Sequence, residues 1–150
     1  MAAPEQTTEQ QNKETVTRFI NEVLNNGNLD VARELLAEDF YLYHPMLDEP
    51  AHGADGYKQA IDWLDTAFPD FNTKVEFLAA EGDKVASRWT VTATHTGEFQ
   101  GIAPTGRKIT YTGIAEYTLH EGKIVEGRIE EDMAGIMMQI GAIPDPTGAA

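Results

Sequence analysis

Two runs of strictly alternating residues, joined by a loop that carries Gly101, Pro104 and Gly106, limit what this chain can fold into. In the first, Val85, Ser87, Trp89, Val91, Ala93 and His95 take one side, and Arg88, Thr90, Thr92, Thr94 and Thr96 the other. In the second, Ile109, Tyr111, Gly113, Ala115, Tyr117 and Leu119 alternate with Thr110, Thr112, Ile114, Glu116 and Thr118. Successive side chains on a strand point to opposite faces, so each run spells a long half-buried strand, and the two pair antiparallel across the loop. His95 falls on the apolar face at its far end, which puts an ionisable ring where a pocket would open.

The rest of the chain supplies a cover for that sheet. Val16, Phe19, Ile20, Val23 and Leu24 have the i, i+3, i+4 spacing of an amphipathic helix that stops at Asn26-Gly27. Asn28 or Asp30 then caps a second helix with Val31, Leu35 and Leu36 as its stripe, ending before Phe40. A short strand, 40–44, is closed by Pro45. Residues 48–56, with His52, have loop composition, and a third helix over 57–68 carries Ile61, Trp63, Leu64 and Phe68. Strands follow at 71–80 and 124–132 around the two long runs, with turns at Glu81-Gly82-Asp83 and Glu121-Gly122. Residues 133–140 suit a last short helix, while 1–11 and 144–150 read as tails. The expected architecture is α+β in one domain, 1–150: three N-terminal helices packed on a strongly curved, mostly antiparallel sheet that encloses a central pocket.

Composition narrows the partners. With 150 residues and 41% hydrophobic content the chain can bury a substantial core, and it has no cysteine for a disulfide, a thiolate metal ligand or a nucleophile. A formal charge of −14 would repel phosphate backbones and anionic lipid, so neither nucleic acid nor membrane is expected. No run approaches the ~18 apolar residues of a membrane span, and the polar start resembles no signal peptide, so a cytoplasmic location is expected. His44, His52 and Asp48 match no metal-ligand spacing, and no metal or cofactor is expected. The 101–108 loop fails as a phosphate loop, because Arg107 stands where lysine is needed and no helix follows.

Four phrases in order, AFPDF from Ala67, THTGEFQGIAPTGRKI from Thr94, GKIVE from Gly122 and DMAGIMMQIGA from Asp132, resemble the SnoaL-like polyketide cyclases, or ester cyclases, of the nuclear transport factor 2-like superfamily. The resemblance implies a cystatin-like cone with a deep apolar pocket, usually in a homodimer or homotetramer. It also implies a cofactor-independent intramolecular aldol closure of a hydrophobic, carbonyl-rich small molecule such as a polyketide. The matching acid/base is Asp132; His95 and His44 match recurrent pocket positions. Arg128 replaces a tryptophan usual in the family and would favour a ligand with an anionic or strongly polar group.

Each assignment has a plainer rival. Removing a proton alpha to a carbonyl needs a carboxylate base and a donor for the enolate, roles that suit Asp132 and His95, with apolar neighbours such as Met133 to strengthen the base. Asp132 equally suits the N-cap of the 133–140 helix, His95 a backbone-satisfied histidine and His44 a surface one. Trp63, Trp89, Phe99 and Tyr117 would line the pocket or simply fill the core. A lyase or isomerase is the favoured reading; a non-catalytic small-ligand binding protein and an epoxide hydrolase- or hydroxylase-like enzyme are the alternatives.

Overall fold

In a computed structural model, which describes residues 6–147, the order of elements is α1 (Thr8–Arg18), a π-helical segment (Phe19–Leu24), α2 (Leu29–Leu35), β1 (Leu36–Tyr43), β2 (Ala51–His52), α3 (Gly53–Ala67), β3 (Asn72–Glu81), β4 (Lys84–Thr94), β5 (Lys108–His120), β6 (Lys123–Glu131) and α4 (Met133–Gln139). The first helix opens earlier than the polar N-terminal run suggests. The Thr7 hydroxyl accepts from the Gln10 amide at 3.2 Å and the Gln10 side chain accepts from the Thr7 amide at 3.0 Å, a reciprocal cap that makes residues 8–11 helix rather than tail. Of the two expected tails, 1–5 and 148–150 lie outside the described residues, and 144–147 belong to no helix or strand.

The expected stripe Val16, Phe19, Ile20 and Val23 is buried, but the helix widens within it: the Asn25 amide reaches the Ile20 carbonyl, five residues back, at 3.0 Å. Asn25 then pairs through its side-chain amide with both backbone groups of Thr73, at 2.9 and 2.8 Å, covering the open edge of the sheet where β3 begins. Asn28 caps α2 by accepting from the Val31 amide. Leu36 is already extended, so β1 is longer than the expected strand over 40–44. The supposed loop contains β2, whose two residues pair with Tyr41 and Leu42 and leave no periodic trace in the sequence.

The six strands lie in the order β2-β1-β6-β5-β4-β3, antiparallel except for β1 beside β6. Register shifts interrupt three of the pairings, at Val75/Phe77, Thr118/Leu119 and Leu36/Tyr41, and each sharpens the twist. The sheet therefore curls around the helices as the alternation and the cover of helices imply. Its concave side carries two apolar clusters, one beneath α1 and α2 around Phe19, Phe40 and Tyr117, the other beneath α4 and the end of α3 around Phe68, Trp89 and Phe99. Ser87 is fully buried on β4 with no hydrogen-bond partner for its hydroxyl. Removing an unpaired buried hydroxyl is neutral to favourable, so Ser87→Ala is expected to leave the melting temperature unchanged or to stabilise the fold by up to ~1 kcal/mol, readable by calorimetry.

Candidate functional site

Between the two apolar clusters lies a cavity of about 70 Å³. Leu42 and Tyr117 wall it from one cluster and Phe71, Val91 and Tyr111 from the other, with Leu24, Ile61 and Leu64 from the helices. Trp63, 42% exposed, stands on its lining and also borders the outer groove beside Leu47 and Ala60, so it marks the mouth. Strand pairing sets one row across the wall: Trp89 faces Gly113 across β4 and β5, and Gly113 faces Glu131 across β5 and β6. A Cβ at position 113 would collide with the Trp89 indole and the Glu130 carbonyl, so the glycine is what makes room for that ring.

Into this apolar surround project two polar side chains that touch each other. His44 follows the last residue of β1 and Glu131 ends β6, and their strands run side by side in parallel, which brings both groups to the same end of the sheet. His44 Nε2 lies 2.7 Å from Glu131 Oε1, with only 15% and 5% of the two side chains exposed. The Met46 amide donates to His44 Nδ1 at 3.1 Å. An Nδ1 that accepts leaves the ring proton on Nε2, so the imidazole is neutral and donates to the carboxylate. Glu131 Oε2 has no protein partner among the described residues. Nor do the hydroxyls of Tyr57, Tyr111 and Tyr117, all residues of the cavity wall. Burial holds all three phenols above their ordinary pKa, with the Glu131 charge adding to the effect at Tyr111, so they remain O–H donors.

The expected site residues divide. His44, Trp63, Trp89 and Tyr117 line the cavity; Asp132, His95, Phe99, Arg128 and Met133 do not. Asp132 is exposed, and its Oδ1 accepts from the Gly135 amide at 2.8 Å as the N-cap of α4. A Cβ on Gly135 would overlap that carboxyl, so the DMAG phrase is shaped by the cap. Asp132→Ala is accordingly expected to cost about 1 kcal/mol of stability in a melting experiment, and Asp132→Asn, which caps equally well, almost nothing.

His95 is fully buried as the alternation requires, but β4 ends at Thr94 and the ring sits under the returning loop. Its Nδ1 lies 3.0 Å from the Thr105 hydroxyl and accepts from the Thr105 amide at 3.3 Å, while the ring packs on Phe68; no hydrogen bond or ion pair joins it to Asp132. It closes a loop. Phe99 packs behind Trp63, with ring centroids 5.6 Å apart, and Met133 packs into the second cluster. Arg128 lies on the outer face, ion-paired with Glu126 and stacked 4.1 Å over Tyr43, so it contributes no charge to a ligand in the cavity. Glu131 and Tyr111 are the functional candidates that residue patterning missed. No group of three or more His, Cys, Asp or Glu placed to hold a metal occurs among the described residues.

The model of the SnoaL-like polyketide cyclase family matches residues 14–140. Among solved structures, one from Jannaschia sp. CCS1, a candidate SnoaL-like polyketide cyclase, is 28% identical with a TM-score of 0.83, over 95% of this chain and 100% of that one. AclR, a candidate hydroxylase from Streptomyces galilaeus, is 30% identical with a TM-score of 0.79 over 92% of this chain and 85% of its own. IdmH, a candidate polyketide cyclase from Streptomyces antibioticus, is 29% identical with a TM-score of 0.76 over 87% and 99%. Comparison with curated proteins returned no match.

Proposed function

Because the chain belongs to the SnoaL-like polyketide cyclase family, we propose that it is a cofactor-independent cyclase or isomerase that performs acid/base chemistry of the intramolecular aldol type on a hydrophobic, carbonyl-rich small molecule such as a polyketide. Residues 1–150 act as one domain, in the cytoplasm. The observation that carries the reading is the buried carboxylate of Glu131, held through Oε1 by a neutral His44 and with Oε2 left free in an apolar cavity. The acid/base role passes from Asp132 to its neighbour.

In this scheme Oε2 takes a proton from the carbon alpha to a carbonyl, and the C–H electron pair moves onto the carbonyl oxygen as an enolate. Tyr111, kept as a phenol by its burial and by Glu131, donates a hydrogen bond to that oxygen. The enolate carbon attacks a second carbonyl of the same molecule, forming the ring bond, and the new alkoxide recovers the proton from Glu131. His44 keeps its own proton and holds the carboxylate in place. A cavity of about 70 Å³ accommodates the reacting end of such a molecule, with the remainder resting on Trp63 at the mouth. Incubation with 2-indanone in deuterated water tests the first step: mass spectrometry should show protein-dependent exchange of the alpha protons, and a rate no faster than buffer would leave a binding protein as the better account.

The outer face of the sheet supports a homodimer. Phe77, 58% exposed, and Ile114, 48% exposed, flank Arg88 in one cross-strand row beside the Thr-rich positions. Light scattering should return twice the chain mass, or four times it for a tetramer, and Phe77→Asp should shift the population to monomer; a wild-type monomer would refute the interface.

A further inference from the structure

The charge arrangement of the cavity has a consequence for what it admits. Six aromatic side chains, Tyr57, Trp63, Phe71, Trp89, Tyr111 and Tyr117, line it together with one carboxylate, Glu131, and no lysine or arginine. The arginine that the sequence offered for an anionic ligand, Arg128, is committed outside to Glu126 and Tyr43. His44 is neutral while its Nδ1 accepts from Met46, so the enclosed space carries the single negative charge of Glu131. The loop that brings Met46 and Leu47 to the wall continues into Asp48 and Glu49, both exposed and neither ion-paired, on a chain of net charge −14.

From this juxtaposition we infer that the ligand carries a basic nitrogen at the end that enters the cavity: the site selects an ammonium group over a carboxylate of the same size. A carboxylate would add a second negative charge to a space that holds no cation, and burying an ion without a counter-charge is strongly disfavoured. An ammonium would bring the enclosed charge to zero, donate to Glu131 Oε2 and lie against ring faces whose quadrupoles attract cations. The acidic mouth raises the local concentration of cations before entry. A carboxylate oxygen has two lone pairs, so an ammonium on one lone pair of Oε2 leaves the other to take the alpha proton, and its charge beside the carbonyl would stabilise the enolate; the inference rests on the acid/base reading only in taking this cavity as the ligand site.

Benzylammonium, benzyl alcohol and benzoate form a matched series in size for calorimetric titration of the full chain. The expected result is that benzylammonium binds at least about tenfold more tightly than benzoate, with benzyl alcohol between them. The preference should survive ~0.5 M salt, which screens exposed charges but not a buried one, should persist in Glu131→Asp and should collapse in Glu131→Gln. Benzoate binding as well as benzylammonium would overturn the inference. So would a preference that disappears with salt, or one unchanged in Glu131→Gln, since either would trace it to surface attraction alone. The wild-type series and its salt dependence decide the matter if the glutamine variant does not fold. Ketone proton exchange without ammonium selectivity would defeat this inference and leave the acid/base reading standing; selectivity without exchange would do the reverse.

Discussion

Glu131→Gln is expected to lower protein-dependent proton exchange on 2-indanone by about 10²- to 10⁴-fold, the range lost when a positioned general base is removed. The substitution is a clean one. A glutamine amide oxygen accepts the same hydrogen bond from His44 Nε2 that Glu131 Oε1 accepts at 2.7 Å, so the dyad keeps its shape while losing the ability to take a proton. Asp132→Asn in parallel should leave the rate within about twofold, because that carboxyl faces solvent and caps α4, and such exposed substitutions shift behaviour little. The paired measurement discriminates between adjacent carboxylates. Exchange that persists in Glu131→Gln and collapses in Asp132→Asn would return the chemistry to position 132, and a structure of either variant would show whether the cavity had been preserved.

The second large effect concerns the wall rather than the acid. Gly113→Ala adds a methyl where the Trp89 ring and the Glu130 carbonyl already stand, and neither a β4 indole buried to 5% exposure nor a strand backbone moves freely. Overpacking of this kind costs about 1–3 kcal/mol. For a chain of this size that corresponds to a fall of roughly 3–10 °C in melting temperature. Because Trp89, Gly113 and Glu131 form one cross-strand row, the displaced indole has the cavity itself as its escape route. Ligand affinity should therefore fall more than stability alone explains, measured at a temperature where the variant is fully folded. An alanine variant that melts and binds like the wild type would show that the indole is not confined by the glycine.

Much of this arrangement is legible in the residues. The alternation of β4 and β5 reports which side faces inward, and Trp89, Val91, Tyr111 and Tyr117 are buried where that pattern puts them. Asn28 as a cap, the buried stripe of Val16, Phe19, Ile20 and Val23 and the short terminal helix follow from local chemistry alone. His44 was reached through the family resemblance, since a histidine before proline at a strand end carries no local mark of burial. His95 shows the limit of periodicity: it is inward, but the strand has ended, and a returning loop decides what an inward ring meets.

The carboxylate that enters the cavity was hidden by one residue of register. Strict alternation from Ile124 would turn Arg128 and Asp132 inward. In the sheet, Leu119 pairs with Ile124 but Thr118 pairs with Glu126, so Val125 is an extra residue, and beyond it Gly127, Ile129 and Glu131 face the concave side. A bulge of one residue exchanges the two faces of everything that follows it. The amino-acid order by itself determined the class of fold, the two long strands, the helical cover and the family, because hydrophobic period and capping are properties of neighbours along the chain. Which carboxylate enters the cavity, which histidine meets it and which arginine is left outside were decided only when strands distant in sequence set their register against one another.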